Sequence, residues 1–445
     1  MNEKPSRREA IRYHREATEA LERGEPEDAL ALLSFAFERD PDFRPAYETA
    51  VAALEELEHV EEADLFRHAL DAFDDPRALY RLGYHFFDEG HTRLAVPFLS
   101  RSDRLRPLSP DTLIALAVSL AAEGRFRECL KTLERHPELE TQFWPYHEYA
   151  YANFLLGRID RARTAVRRIR AREDSFRATV TEDETADFEA SIERLEGGLA
   201  RYGRVPERDD ASIRDWHFIQ YGAALLERFD DRFGPGAGTL AGGRFLSFHS
   251  SPGLVRGVLD GLVGLLGQLG IAPATVLFAP DDDSEILALA LGVLLDLPVD
   301  SIDDALDRQD SLVVAASSEA LNDFPEIADR EAGETLFAYQ LLWTRDCLVV
   351  PDVSGLLAQL HVFPWQETHP DLEEPAFDIP ADPRPFEEIA HWILEAAPFP
   401  PPASREEDFA FYVRHRADLA AGDWIRRPHR ERYLTNSPIP GWRYA

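Results

Sequence analysis

The sequence predicts an α-helical repeat array followed by an α/β domain with a mainly parallel sheet of about four or more strands. Two observations support this fold class. Glycines and small residues recur about every 34 residues in the first half, and short apolar runs alternate with helical stretches in the second. The predicted domains are a helical repeat domain over 1–205, a connecting helix and glycine-rich linker over 206–243, and an acidic α/β domain over 244–445.

Charge and composition limit the compartment and the classes of partner. The net charge is −34, and residues 251–400 contain 28 acidic but only 5 basic residues, so nucleic acid and anionic membranes are not expected partners of the second half. The N-terminus is polar, which argues against a signal peptide. Cys129 and Cys347 lie far apart, which argues against a disulfide framework or a zinc site. We therefore expect a cytoplasmic protein.

The first half repeats a frame built around a glycine. A small residue precedes each glycine by seven positions, and another follows it by five. Small side chains allow two antiparallel helices to pack closely, and the glycine lets the backbone reverse between them. The glycines are Gly24, Gly90, Gly124 and Gly157, and the small residues are Ala17, Gly83, Ala117 and Ala150 before them and Ala29, Ala95, Cys129 and Ala162 after them. One unit, over about 44–75, has Glu58 where the others have glycine.

This frame resembles the tetratricopeptide repeat (TPR) family. The stretch LYRLGYHFFDEGHTRLAVPFLSRSDRLRP carries the family's leucine–glycine, tyrosine, glycine, alanine, leucine and proline positions in order. Five units would cover about residues 10–176. The sequence departs from the family at Glu58 and at His136, which replaces a small residue. The resemblance implies a right-handed solenoid that binds peptides or protein surfaces on its concave face, and it implies no chemistry.

Polar and aromatic residues on the first helix of each unit are the candidate protein-binding residues. Each aromatic has an alternative role in packing between repeats. The candidates are Tyr13, Tyr47, Tyr80, Tyr84, Trp144, Tyr146 and Asn153. At the position equivalent to Asn153 the other units carry Ala20, Phe86 and Leu120, so a clamp for the C-terminal carboxylate of a partner is not expected.

An arginine-rich segment and an acidic helix are predicted to follow the repeats. Residues 158–177 carry eight arginines, which indicate either a solvated helix face or a docking stripe for an acidic partner. Residues 181–200 predict one more helix, with acidic residues at its start and Gly-Gly near its end. This helix is expected to cap the array.

In the second half, apolar runs predict strands and the stretches between them predict helices. A helix over about 211–230 precedes a glycine-rich break. Continuous apolar strands joined by helices are typical of a parallel sheet. The predicted strands are Arg244–His249, Thr275–Ala279, Ser311–Ala315 and Cys347–Val350, and the predicted helices are Pro252–Leu269, Ser284–Leu295, about 328–342, about 385–396 and about 405–421.

Several acidic or nucleophilic residues follow the predicted strands, where parallel sheets form their sites. His249, Asp281, Asp282, Asp283 and Asp352 are candidate metal or ligand residues, and the aspartates suit Mg²⁺. The alternative is that the aspartates cap the helices that begin there. A strand, adjacent aspartates and a helix also resemble the phosphoribosyltransferases. The threonine–glycine phosphate cradle of that family is lacking, so the resemblance implies a degenerate, inactive version.

The C-terminal tail interleaves arginines with aromatic residues. We expect an intramolecular or subunit contact in which the arginines pair with acids. For the protein as a whole, the favoured hypothesis is an adaptor or scaffold that binds a protein partner through the repeats, with no catalytic residue and no cofactor. The alternative is a nucleotide- or Mg²⁺-dependent enzyme that uses the repeats as a targeting arm.

Overall fold

The computed structural model describes residues 5–181, 184–205, 212–227, 244–305, 307–344, 347–366, 382–421 and 429–434. The molecule divides into two compact units, residues 1–192 (unit 1) and residues 193–445 (unit 2). Residues 212–227, which the sequence assigned to a connecting helix and linker, contain a helix and a strand of unit 2. The glycine-rich break lies outside the described residues.

Unit 1 is an array of helical hairpins, as predicted. Five pairs of helices follow one another, and two further helices come after them. The pairs are α1 (Pro5–Glu22) with α2 (Pro26–Arg39), α3 (Arg44–Glu56) with α4 (Val60–Asp71), α5 (Pro76–Asp88) with α6 (Thr92–Leu105), α7 (Pro110–Ala122) with α8 (Phe126–Leu133), and α9 (Phe143–Leu155) with α10 (Ile159–Ala171). The last two helices are α11 (Glu173–Arg177) and α12 (Thr185–Tyr202), and α12 contains the division between the units.

The turn inside each hairpin uses the left-handed backbone region. Gly24, Gly90, Gly124 and Gly157 have φ of 79°, 77°, 70° and 68°. A glycine reaches this region without the steric cost that a Cβ atom adds. Glu58 holds the same place in the second hairpin with φ of 60°. The repeat geometry is therefore kept at this turn even though its usual residue is lost.

Small residues lie where the two helices of a hairpin cross, and this confirms the packing predicted from the sequence. Ala17, Ala117 and Ala150 are fully buried. A Cβ atom added to Gly83 on α5 would lie 2.8 Å from Leu99 Cγ and 3.1 Å from the backbone nitrogen of Leu99 on α6. The close approach of α5 and α6 therefore requires glycine at position 83.

Unit 2 is built around a parallel sheet with helices between and after the strands. The strands are β1 (Ala224–Leu225), β2 (Arg244–His249), β3 (Thr275–Phe278), β4 (Val299–Ser301), β5 (Ser311–Ser317), β6 (Thr335–Leu341) and β7 (Val353–Val362). The helices are α13 (Ile213–Tyr221), α14 (Pro252–Leu269), α15 (Asp282–Leu295), α16 (Phe386–Glu395) and α17 (Arg405–Arg414). Residues 261–280 comprise the end of α14, a turn and β3.

The seven described strands run parallel in the order β1-β7-β6-β5-β3-β4, and β2 also pairs with β7. β1 pairs with the start of β7, at Val353 and Ser354, whereas β2 pairs with its remainder, over 357–362. β7 is therefore flanked on one side by two separate segments of the sequence. Its other side pairs with β6.

The two faces of the sheet are covered differently. Val276, Leu312 and Phe337 pack in a core with α14, α15, α16 and α17. Leu277, Val313 and Leu336, their neighbours along each strand, pack instead with Leu321 and Ile327 of two short 3₁₀ turns. This alternation is the period of two that a strand imposes on its side chains.

The helix predicted over about 211–230 ends at Tyr221, and β1 follows it within the predicted range. Two further predicted elements of unit 2 are wrong. The helix expected over about 328–342 is instead β6 together with the loop before it, and the strand expected at Cys347–Val350 lies outside the sheet, just before β7. All seven residues of β6 are buried, and a fully buried strand shows no alternation that would separate it from a buried helix. β1 and β4 are too short to give a pattern.

None of the helices in the described ranges has the length and apolar character needed to cross a bilayer.

Candidate functional site

The acid triplet lies where β3 passes into α15, and its first member caps that helix. The Asp281 carboxylate accepts hydrogen bonds from Ser284 N at 2.9 Å and from Ser284 Oγ at 2.5 Å. The Ser284 hydroxyl in turn accepts a hydrogen bond from the backbone nitrogen of Ala316, next to the end of β5, at 2.7 Å. The capping interpretation is confirmed for Asp281, which also joins the helix start to the neighbouring strand.

Asp283 points toward the segment that follows β7. Its carboxylate accepts a hydrogen bond from Trp365 Nε1 at 2.6 Å and one from Gln366 Nε2 at 2.9 Å. Burial raises the pKa of Asp283 to about 6, although the Trp365 hydrogen bond opposes the shift. Asp282 between them is exposed. The three aspartates therefore have different roles. Asp281 caps α15, Asp282 faces solvent, and Asp283 accepts hydrogen bonds from the segment that follows β7.

His249 and Ser250 lie at the end of β2, and only Ser250 enters a polar network. His249 is exposed. Ser250 Oγ lies 2.7 Å from His361 Nε2 and 3.0 Å from Tyr339 OH, and all three side chains are buried. Burial lowers the pKa of His361 to about 3, so its ring stays neutral near pH 7. The trio joins the end of β2 to β6 and β7 through hydrogen bonds.

Asp352 does not lie with the other candidates. It directly precedes β7, whereas Asp281–Asp283 follow β3. Because the strands are parallel, the amino end of β7 and the carboxyl end of β3 lie on opposite sides of the sheet, at opposite ends of the strands. The expectation that Asp352 shares a metal ion with the triplet is therefore wrong, and the cause is the misplaced strand at Cys347–Val350.

Asp352 belongs instead to a buried ion network. Its carboxylate contacts the guanidinium of Arg330, lies 3.1 Å from Arg430 Nη2 and accepts a hydrogen bond from Leu336 N at 2.9 Å. Arg430 also lies 2.5 Å from a Glu334 oxygen. Burial alone would raise the pKa of Asp352, but Arg330 and Arg430 lower it to about 2. As expected of the tail, one of its arginines pairs with acids.

Among the described residues, no group of three or more His, Cys, Asp or Glu side chains is arranged to hold a metal ion. Within the triplet, Asp281 and Asp283 accept the hydrogen bonds given above, whereas Asp282 is exposed.

In unit 1 the candidate protein-binding residues separate by burial. Tyr47 and Asn153 are fully buried and Tyr146 nearly so, and these three pack inside the unit rather than face solvent. Tyr47 OH donates a hydrogen bond to the carbonyl oxygen of Pro41 at 2.8 Å, and its ring packs edge-on against Phe37. For these three residues the packing alternative applies. The four that reach the surface are Tyr13, Tyr80, Tyr84 and Trp144.

Two of those four lie together on α5 and define what we call the α5 surface: Arg77, Tyr80, Arg81, Tyr84 and Phe87. The Tyr84 side chain is 40% exposed, and its ring centroid lies 5.5 Å from that of Tyr80 and 5.6 Å from that of Phe87. Arg77 and Arg81 are exposed, and neither side chain has an ion-pair partner among the described residues. The α5 surface thus combines a ring cluster with two solvent-facing guanidinium groups.

Sequence reasoning missed three members of this surface. Phe87 follows Tyr84 by three positions, and the spacing of three and four residues along a helix would have grouped it with Tyr80 and Tyr84. Arg77 and Arg81 fall on the same side by the same rule. The sequence did not single out the buried Arg101 either, whose guanidinium lies 3.7 Å from the Phe73 ring centroid and pairs with Asp42 at 2.6 Å.

Comparison with known proteins gives structural likenesses over unit 1. No family model and no curated protein matches the sequence. A structure described as MamA AMB-1 is 19% identical over 39% of this chain and 94% of its own, with a TM-score of 0.25. MamA from Desulfovibrio magneticus RS-1 is 18% identical over 39% of this chain and 98% of its own, with a TM-score of 0.23. YrrB, described as a TPR protein with an unusual peptide-binding site, is 22% identical over 37% of this chain and 87% of its own, with a TM-score of 0.23.

Proposed function

We propose that this protein is an adaptor that binds a protein partner through unit 1, and that the α5 surface makes the central contact. The observation that supports the proposal is the cluster of Tyr80, Tyr84 and Phe87 beside two arginines that have no acidic partner in the described ranges. Tyrosine and arginine are enriched among the residues that dominate the energy of protein interfaces. A helix that exposes aromatic rings next to one another offers apolar area that a partner can bury.

The neighbouring helix extends this surface. Ile114 and Val118 on α7 are half-buried, and they are four positions apart, so they share one side of the helix. α5 and α7 are the first helices of consecutive hairpins. A partner segment that lies across both would contact the rings of α5 and the branched side chains of α7. Trp144 and Tyr13, on α9 and α1, are proposed as outer contacts of the same kind.

The proposal assigns no reaction to unit 2. The hydrogen bonds of Asp281 and Asp283, the buried serine–histidine–tyrosine trio and the Asp352 network all join elements of the sheet to one another. We propose that unit 2 is a folded, non-catalytic companion of the binding array.

The test begins with a photo-crosslinking amino acid placed at position 84 in cells of the source organism. A partner captured there is purified, and its affinity for the full-length protein is measured by titration calorimetry. Combined Tyr84→Ala and Arg81→Ala substitution is expected to weaken binding at least tenfold, because both a buried ring and a charge pair are lost. Val60→Ala serves as control, since Val60 is an exposed apolar residue at the start of α4. Equal affinity of both variants would exclude the α5 surface.

A further inference from the structure

A proline-rich segment of unit 2 lies at the surface between α16 and α17. It covers residues 396–402, with the sequence AAPFPPP, and we call it the proline segment. Residues 397–401 are all exposed, and Phe399 is 45% exposed. The segment contains none of the described helices or strands, so its conformation depends on its own residues and on what it packs against.

The residues of the proline segment favour a polyproline II helix. Ala396 has φ of −65° and ψ of 137°, close to the values of that conformation. Each later residue of the segment is a proline, whose ring fixes φ, or precedes a proline and so avoids the α region. A polyproline II helix has no internal hydrogen bonds, and the carbonyl oxygens of Pro398, Pro400 and Pro401 accept none from the described part of the chain. These oxygens are therefore available to a partner.

Two glycines of α14 hold the proline segment in place. The backbone nitrogen of Phe399 donates a hydrogen bond to the carbonyl oxygen of Gly253 at 2.7 Å. A Cβ atom added to Gly253 would lie 2.4 Å from Ala397 O, and one added to Gly257 would lie 3.0 Å from Phe399 O. The segment therefore lies directly on the backbone of α14. Because folding already orders it, a partner that binds it does not bear that entropy cost.

The spacing of the prolines presents one edge of this helix to solvent. A polyproline II helix has about three residues per turn, so residues three positions apart lie on the same edge. Pro398 and Pro401 share an edge, and both are exposed. Phe399 and Pro402 share a second edge, and the burial of Pro402 shows that this edge turns toward the protein. The exposed edge thus carries the Pro-x-x-Pro pattern that aromatic-lined grooves recognise.

The charges beside the proline segment are mainly negative. The exposed acidic residues in the adjoining helices are Glu395 at the end of α16 and Glu406 and Glu407 in the first turn of α17. Glu395 also lies 3.2 Å from His391, and the nearby Arg405 is directed to the buried Glu227. These charges favour a partner whose groove has basic rather than acidic residues at its rim.

We propose that the proline segment is a docking site for a partner domain with an aromatic-lined groove that binds polyproline II helices. Pro398 and Pro401 pack between the aromatic rings of the groove. Tryptophan or tyrosine side chains of the groove donate hydrogen bonds to the free proline carbonyl oxygens. This inference goes beyond the proposed function, because it gives unit 2 a partner of its own that does not depend on the α5 surface.

The probes for the test are purified SH3 and WW domains, chosen with basic and with acidic groove rims. Their binding to the immobilised full-length protein is measured by biolayer interferometry at low and high salt. Domains with a basic rim are expected to bind more tightly, and high salt should reduce the difference. Pro398→Ala with Pro401→Ala is expected to weaken binding about tenfold, because both groove contacts and the restriction of φ are lost. A photo-crosslinking amino acid at position 400 is expected to attach to the aromatic groove of the bound domain.

Matched controls separate the proline segment from other surfaces. Pro298→Ala with Pro325→Ala removes two exposed prolines of unit 2 that lie outside the segment. Arg77→Ala with Arg81→Ala changes the α5 surface alone. Both double variants are expected to bind the probe domains as the wild-type protein does. Circular dichroism melting of each variant shows whether it is folded before it is compared.

Three results would overturn the inference. One is no binding of any probe domain to the wild-type protein. Another is equal affinity of the wild-type protein and the Pro398→Ala, Pro401→Ala variant. The third is a dimer of the wild-type protein, detected by light scattering and lost in that variant, which would show that a second copy covers the segment. Failure of the crosslinking experiment at position 84, with domain binding at the proline segment intact, would instead remove the α5 surface alone.

Discussion

Burial decides the role of individual carboxylates in this protein. Asp352 is fully buried but has two guanidinium partners, and its pKa is lowered. Glu148 on α9 is a contrasting case, since its carboxyl group is buried with no partner at Oε1 among the described residues. Burial therefore raises the pKa of Glu148 to about 7. Nothing in the sequence distinguishes these two acids, because the difference lies in which arginines the fold brings near them.

Glu148 is expected to make the stability of unit 1 depend on pH. The folded state holds its proton up to about pH 7, whereas the unfolded state releases it near the ordinary value of 4.5. Its contribution to the free energy of unfolding is therefore full below about pH 4.5 and is lost as pH rises to 7, by up to about 3 kcal/mol. Glu148→Gln should remove this slope and stabilise unit 1 at pH 8.

Urea unfolding followed by circular dichroism at several pH values between 5 and 8 measures the Glu148 effect. Glu19→Gln is the control, because Glu19 is exposed on α1. If the Glu148→Gln variant keeps the wild-type dependence on pH, the carboxyl group of Glu148 is hydrated in solution and the assignment is wrong.

At the scale of elements, prediction succeeded where a pattern repeats and failed where an element is short or fully buried. The hairpins of unit 1 were predictable because each one repeats the same small residues and turn glycine. β6 was mistaken for a helix because all of its residues are buried, and β7 was missed because it contains Gly355 and polar residues. The same error moved Asp352 into the wrong site, since a residue before a strand was taken to follow one.

The turn between α3 and α4 provides a test of the repeat frame. Glu58 is exposed and adopts φ of 60°, a conformation that costs a residue with a Cβ atom about 1 kcal/mol relative to glycine. Glu58→Gly should therefore raise the free energy of unfolding of unit 1 by about 0.5–1 kcal/mol, after the entropy cost of glycine is deducted. The reciprocal Gly90→Ala change, at φ of 77°, should lower it by about 1 kcal/mol.

Thermal unfolding by calorimetry measures both changes at the turns. Opposite shifts in melting temperature are expected, and shifts of the same sign would show that these turns are not governed by the left-handed conformation.

At the scale of the whole molecule, the sequence predicted two parts of different class, and the structure contains them. The sequence did not predict which contacts join the C-terminal segment to the sheet of unit 2. The sheet of unit 2 is joined at the start of β7 to the segment 429–434 near the C-terminus, through Arg430 and the pairing of Tyr433 with Cys347. Such contacts join residues that are far apart in the sequence, and a local sequence pattern does not predict which acidic residue an arginine will pair with.

Unit 2 should depend strongly on Arg430. Arg430→Met leaves Asp352 and Glu334 buried with less positive charge nearby, and breaking a buried pair of this kind costs about 3–5 kcal/mol. Arg432→Met is the control, because Arg432 is exposed two positions away. Urea unfolding followed by the fluorescence of the tryptophans, of which Trp343 and Trp365 are buried in unit 2, measures the difference. Equal midpoints for the two variants would show that the network contributes no net stability.

The edge of the sheet beside β7 has a consequence for how the protein could be divided. β1 ends opposite Ser354 and β2 begins opposite Leu357, so the two segments join the same strand only three residues, or about 10 Å, apart. Each is held to β7 by its own hydrogen bonds. Two separately expressed polypeptides, 1–227 and 244–445, should therefore reassociate into the native sheet without a covalent connection between β1 and β2.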